Sequence, residues 1–202
     1  MTIGWNKTPP GRIETDMRLR TRFEQLALPH LDAAYTLAFW LVRSRADAQD
    51  IVQEAYLRAL RAFDTVHGPD IKPWLLTIVR NVAYRFLSNK RRGNNVIPIE
   101  DAFLPRNGNA SDGFMPASDD PSPEIRLIDA EQSSLALAAL ASLPPLHREV
   151  LVLREVQDMS YADIAQTLGA PLGTVMSRLS RARAELRARY AIIVEKEGRD
   201  AV

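Results

Sequence analysis

Thr174, Ser177, Arg178 and Arg181 fall within about two turns of one helical run, and at about 100° per residue they share a face. The chemistry of such a face is the reading of duplex DNA. A guanidinium can donate two hydrogen bonds to the major-groove edge of guanine, and a hydroxyl can serve a base or a phosphate. Val175, Leu179, Ala182 and Leu186 form a second, apolar stripe that turns the first one outward. From Leu172 to Arg189 there are five arginines and one glutamate, a balance that attracts a polyanion. Arg183 is counted with the DNA-binding set for its charge. It lies off the reading face with Arg187 and Arg189, where phosphate and plain water are the alternatives.

A reading helix needs a second helix to hold it. Just upstream, Ile164, Ala165 and Leu168 share one face, Gly169 supplies the left-handed residue of a sharp turn, and Pro171 restarts the chain. Val175, six residues after Gly169, locks the second helix on the first, which is helix-turn-helix spacing.

A second face with chemistry lies in "PWLLTIVRNVAYRFLSNKRR", a helix opened by Pro73 and ended by Gly93 and two asparagines. Leu75, Ile78, Val79, Val82 and Phe86 point inward, and Trp74, Thr77, Asn81, Tyr84, Arg85 and Ser88 share the other side. Aromatic rings interleaved with polar groups, followed by Lys90, Arg91 and Arg92, suit unpaired bases stacked on rings and a backbone held by cations. Core packing at a helix edge is the equal alternative for Trp74 and Tyr84 taken singly. In "ADAQDIVQEAYLRALRAF", Val52, Ala55, Tyr56, Ala59, Leu60 and Phe63 form the core side, opposite Asp50, Gln53, Glu54, Leu57 and Arg61. A leucine among exposed acids and amides marks a partner surface, against the alternative of one more solvated leucine.

These segments lie in a 202-residue chain whose charges nearly cancel, at +1. The neutral total hides a division. Between Gly93 and Ile125 six acids stand against Arg106 alone, among prolines and small polar residues with no helical period, so 93–125 reads as an acidic, flexible linker. Either side of it the chain is rich in Ala, Leu and Arg with almost no period-two alternation, which predicts an all-α protein of two small helical domains. The first combines "TRFEQLALPHLDAAYTLAFWLV", bent at Pro29, with a helix starting near Ala46 capped by Asp47, and the helix from Pro73. The second holds four short helices.

With no cysteine, disulfides, thiolate metal sites and a catalytic thiol are excluded, and a reducing cytoplasm fits. His30, His67 and His147 lie far apart without acids at ligand spacing, so no metal or other cofactor is expected. No paired carboxylates, nucleophile elbow or phosphate loop suggests an enzyme or a small-molecule substrate. No stretch is apolar for long enough to insert in a membrane.

The segments "DAQDIVQEAYLRAL", "KPWLLTIVRNVAYRFL" and "SYADIAQTLGAPLGTVMSRLSRARAEL" together resemble, in order, the extracytoplasmic-function (ECF) group of bacterial RNA polymerase sigma factors. The resemblance covers roughly 23–92 and 127–189. It implies a non-catalytic, dissociable initiation subunit of RNA polymerase. Residues 17–92 would be its region 2, with Asp50, Gln53, Glu54, Leu57 and Arg61 on the clamp helices of core polymerase. The loop from Asp64 to Lys72, with Trp74, Thr77, Asn81, Tyr84, Arg85 and Arg91, would open the minus-ten element. Residues 126–195 would be region 4, with Thr174, Ser177, Arg178, Arg181 and Arg183 on the minus-thirty-five element of promoter DNA. Residues 1–16 would be an N-terminal extension and 196–202 a tail, and the group implies a sequestering anti-sigma factor. The competing reading is a dimeric helix-turn-helix regulator that binds an operator without polymerase.

Overall fold

The computed structural model describes residues 10–66, 68, 70–93 and 134–200, all but the turns and short connections in helices. The expected linker, Gly93 apart, lies outside them. Helix α1 spans Pro10–Ala27, so it begins inside the segment read as an extension and runs through the expected boundary at residue 16. A 3-10 turn, Leu28–His30, follows where Pro29 has no N–H to continue an α-helix. Then come α2 (Leu31–Val42), α3 (Arg45–Ala62) and α4 (Lys72–Gly93).

The cap of α3 differs from expectation. Ser44, extended at φ −143°, accepts a hydrogen bond at Oγ from the Asp47 N–H at 3.3 Å, and Asp47 sits in the first turn. Serine one residue before the helix is the better placed acceptor, and an acid in the first turn favours the helix dipole.

Helices α2, α3 and α4 pack on each other through Leu37, Leu41, Ile51, Val52, Ala55, Leu76, Val79 and Val82. Helix α1 closes a smaller cluster in which Phe23 meets Phe63 edge-on at 5.2 Å and Tyr56 at 6.1 Å. The Tyr56 hydroxyl donates to the Ala27 carbonyl at 2.8 Å, satisfying an acceptor that the end of α1 leaves free. Burial, with Asp32 nearby, pushes that phenol up to about 12, so it stays a donor throughout the neutral range.

The second unit comprises α5 (134–142), α6 (Pro145–Leu151) continued by a π-helical turn at Val152–Val156, α7 (Tyr161–Leu168) and α8 (Leu172–Asp200). The last helix is not short. It has 29 residues and runs into the segment read as a tail, as far as Asp200. Ser160 caps α7, accepting from the Asp163 N–H at 3.1 Å while donating to its carboxylate at 2.6 Å. Gly169 ends α7 at φ +60°, and Ala170 N–H bonds back to the Ala165 carbonyl at 3.0 Å, closing the turn.

Only backbone conformation requires glycine at 169, since an added Cβ would meet nothing within 4 Å. Gly169→Ala is therefore expected to cost about 1–2 kcal/mol, the strain of a left-handed residue. Gly173→Ala, in equally open space within the first turn of α8, is expected to be neutral or to stabilise by up to about 1 kcal/mol. Thermal melts of the two variants check the pair. Equal effects would mean that the turn is not what makes position 169 special.

Candidate nucleic-acid interface

On α8 the apolar stripe is as expected. Val175, Leu179 and Ala182 are buried, with Leu186 packed beside them. Opposite, Ser177 and Arg181 are exposed, and Thr174 and Arg178 are half-buried. The Ser177 hydroxyl donates to the Thr174 carbonyl at 3.0 Å, a bond within its own helix. Arg181 is exposed and has neither an ion pair nor a hydrogen bond among the described residues.

Arg183 stands apart from this face. Its Nε and Nη2 both reach one oxygen of Glu155, at 3.0 and 2.7 Å, and this bonding, with Tyr161, raises its pKa. Arg189 is similarly engaged with Glu185, one helical turn back, at 2.7 Å. Both arginines brace the helix; the Glu185 partner of Arg189 follows from i,i+4 spacing, whereas the Glu155 partner of Arg183, 28 residues away, does not.

The face expected on α4 divides in two. Asn81, Arg85 and Ser88 are exposed. Trp74 is half-buried, tilted at 6.4 Å from Phe63, so part of its ring belongs to the core of α1 and α3. Thr77 and Tyr84 turn toward the second unit. The Thr77 hydroxyl donates to Pro73 O at 2.8 Å, with Thr167 O at 3.5 Å, and the Tyr84 hydroxyl donates to Glu149 Oε2 at 3.1 Å. The inward stripe is also wider than predicted, because Leu76 and Ala83 are fully buried as well. A helix covered on two sides has no single outer face. The side chain of Arg91 lies outside the described residues.

The third surface is on α3. Asp50, Gln53, Glu54, Leu57 and Arg61 are all exposed, and Glu54 is paired with Arg58. Leu57, 52% exposed, is not solitary: Leu31 and Leu60, 43% and 38% exposed, stand with it around a groove of about 520 Å³. Leu60 was read as core, and the structure places it on the groove rim instead. It follows Leu57 by three residues, so the two share a face as readily as either joins the apolar stripe.

The three surfaces lie on chain segments that match known families. Residues 26–93 match sigma-70 region 2, and residues 134–186 match sigma-70 region 4. The ECF RNA polymerase sigma factor SigE of Mycolicibacterium smegmatis is 34% identical over 85% of this chain and 63% of its own length. The RNA polymerase sigma-H factor of Pseudomonas aeruginosa is 32% identical, over 80% of this chain and 82% of its own. Among solved structures, the sigma factor RpoE of Bartonella quintana, in complex with the anti-sigma factor NepR, superposes with a TM-score of 0.63. It is 27% identical, with 85% of this chain and 98% of that one covered. CnrH, in complex with the cytosolic domain of CnrY, gives 0.55 at 26% identity, covering 86% and 92%. No described helix is long and apolar enough to cross a membrane. With both regions present in family order, and with relatives above 30% identity aligned over most of their length, the chain belongs to the ECF group of sigma-70 family sigma factors.

Proposed function

We propose that this chain binds core RNA polymerase and directs it to a set of promoters. In this reading, residues 17–92 form a core-binding and strand-opening domain and residues 126–195 a minus-thirty-five domain. Asp50, Gln53, Glu54, Leu57 and Arg61 dock on polymerase, with the groove beside Leu57 as the apolar centre of that contact. Trp74, Thr77, Asn81, Tyr84, Arg85 and Arg91 capture unpaired bases of the minus-ten element, and Thr174, Ser177, Arg178 and Arg181 read the duplex upstream. Opening needs no nucleotide hydrolysis, because stacking and capture offset unpairing. An anti-sigma factor sequesters the chain, as the partner in the Bartonella complex suggests.

The observation that carries the reading is the coexistence, in one chain, of a duplex-reading helix with an exposed apolar groove on α3. A dimeric regulator would use such a groove for self-association, and the match of residues 26–93 to sigma-70 region 2 is what favours polymerase as its occupant. The test is transcription by reconstituted core polymerase with and without the chain, with the 5′ ends sequenced. A defined set of starts that depends on the chain is expected. Tight, sequence-selective binding by the chain alone, unchanged by core, would favour the dimeric regulator.

Arg181→Ala is expected to cost about 1–3 kcal/mol of promoter discrimination, the worth of a bidentate base contact. Arg187→Ala is expected to weaken all sequences evenly. The check is transcription from templates with each upstream base exchanged. If Arg181→Ala responds to those exchanges as the wild type does, Arg181 does not read bases.

A further inference from the structure

Two large apolar side chains stand on α8 outside the core. Leu172 and Met176 are 49% and 52% exposed, at the end of the helix that follows the Gly169 turn. About one helical turn separates them, so they share an edge. Neither is among the described residues that form or flank the two hydrophobic clusters. A single exposed leucine carries no information; the position of this pair does.

The buried stripe of Val175, Leu179 and Ala182 leaves the rest of α8 with two edges of different chemistry. Thr174, Arg178 and Arg181 form one. Leu172 and Met176 form the other, and the exposed Ser177 and Ser180 lie between. The next cation along the apolar edge, Arg183, is committed through Nε and Nη2 to Glu155. Around Met176 this edge therefore offers carbon where the other offers guanidinium.

A helix laid in the major groove brings both edges against bases. Arginine suits the two acceptors of guanine, whereas the one apolar feature that the groove presents is the 5-methyl group of thymine. Resting on the function proposed above, we infer that Leu172 and Met176 read thymine methyl groups in the upstream promoter element, beside the guanines read by Arg178 and Arg181. The edge is continuous with the arginine-bearing face. Five arginines against one glutamate between Leu172 and Arg189 draw a polyanion to it. A protein that covered Met176 would also have to cover the adjacent Ser177 and desolvate Arg181. Methionine, unbranched and polarisable, can follow a methyl group whose position shifts with the base step.

Deoxyuridine isolates this contact, because it differs from thymidine by the methyl group alone and keeps every hydrogen bond of the base pair. The probes are the duplexes that the chain with core polymerase selects from a random-sequence double-stranded pool, each upstream thymine on either strand then being replaced singly by deoxyuridine. For the wild type, at least one replacement is expected to lower affinity about fourfold, the worth of one methyl group removed from water. Leu172→Ala combined with Met176→Ala is expected to bind the thymine and deoxyuridine duplexes equally, with its preference at guanines and its helicity unchanged. Met176→Leu alone, which keeps an apolar side chain, is expected to retain the penalty. Arg181→Ala should behave in the opposite sense to the double variant, losing discrimination at guanine and keeping the response to deoxyuridine.

Wild-type affinities indifferent to deoxyuridine at every position overturn the inference. A penalty that persists in the double alanine variant overturns it as well, since the methyl group then acts through the shape of the DNA. If that variant instead loses self-association or its hold on core polymerase while its response to deoxyuridine stays intact, the edge belongs to a protein contact and the inference is wrong. A pool from which the chain with core polymerase selects no sequence brings down the proposed function itself, and this inference with it; selected sequences without a methyl dependence bring down the inference alone.

Discussion

Glu54→Lys combined with Leu57→Ala is expected to abolish assembly with core RNA polymerase while leaving the chain folded. Both side chains are exposed on α3, opposite the buried Ile51, Val52 and Ala55. The only described partner of the Glu54 carboxylate is Arg58, one turn along on the surface, and such a pair contributes at most about 1 kcal/mol. Truncating Leu57 leaves no internal cavity. Neither change therefore threatens the core.

At an interface the balance reverses. Leu57 stands at the rim of the apolar groove between Leu31 and Leu60, the setting in which truncation of a central residue costs about 2–4 kcal/mol. Reversing the charge at Glu54 adds repulsion wherever the partner presents a cation. Together the two predict a loss of affinity of roughly a hundredfold or more. Co-purification with core enzyme, with helicity measured by circular dichroism, gives the result. Undiminished affinity would make this a solvated face.

Much of the architecture was legible because local chemistry decides it. Pro29 must interrupt a helix, Gly169 must take a left-handed turn, and the α8 stripe from Val175 to Leu186 can be buried in only one way. The α3 surface was legible for the same reason except at Leu60, which helical spacing assigns to the apolar stripe as readily as to the groove beside Leu57. The second unit's interior charges were not. In "PPLHREVLVLREVQ" the apolar residues Val150 to Leu153 run without a break, which signals a helix covered on every side, so that the adjacent Arg148 and Glu149 have nowhere exposed to go. That run was the available clue. What it cannot convey is that the partners of Glu149 are Arg80 and Tyr84, 69 and 65 residues earlier. The same blindness divided the α4 face: its polar side faces solvent at Asn81 and Arg85, and protein at Thr77 and Tyr84.

That division sharpens the expectation for strand opening. Replacing Asn81 and Tyr84 together by alanine is expected to leave core assembly and upstream recognition intact and to slow bubble formation on duplex promoter. Stacking contributes about 1–3 kcal/mol per base, enough to shift a balanced open–closed equilibrium tenfold or more. On a template already mismatched across the minus-ten region there is no unpairing to offset, so transcription by the variant is expected to recover. Tyr84→Phe separates the two roles of this residue. It keeps the ring that stacks and removes the hydroxyl that donates to Glu149, so it should open duplex promoter at least as fast as the wild type, whereas Tyr84→Ala should not. Permanganate reactivity of unpaired thymines reports opening directly. If the double alanine variant is as defective on mismatched template as on duplex, the loss lies in folding or docking, and Asn81 and Tyr84 do not capture the strand.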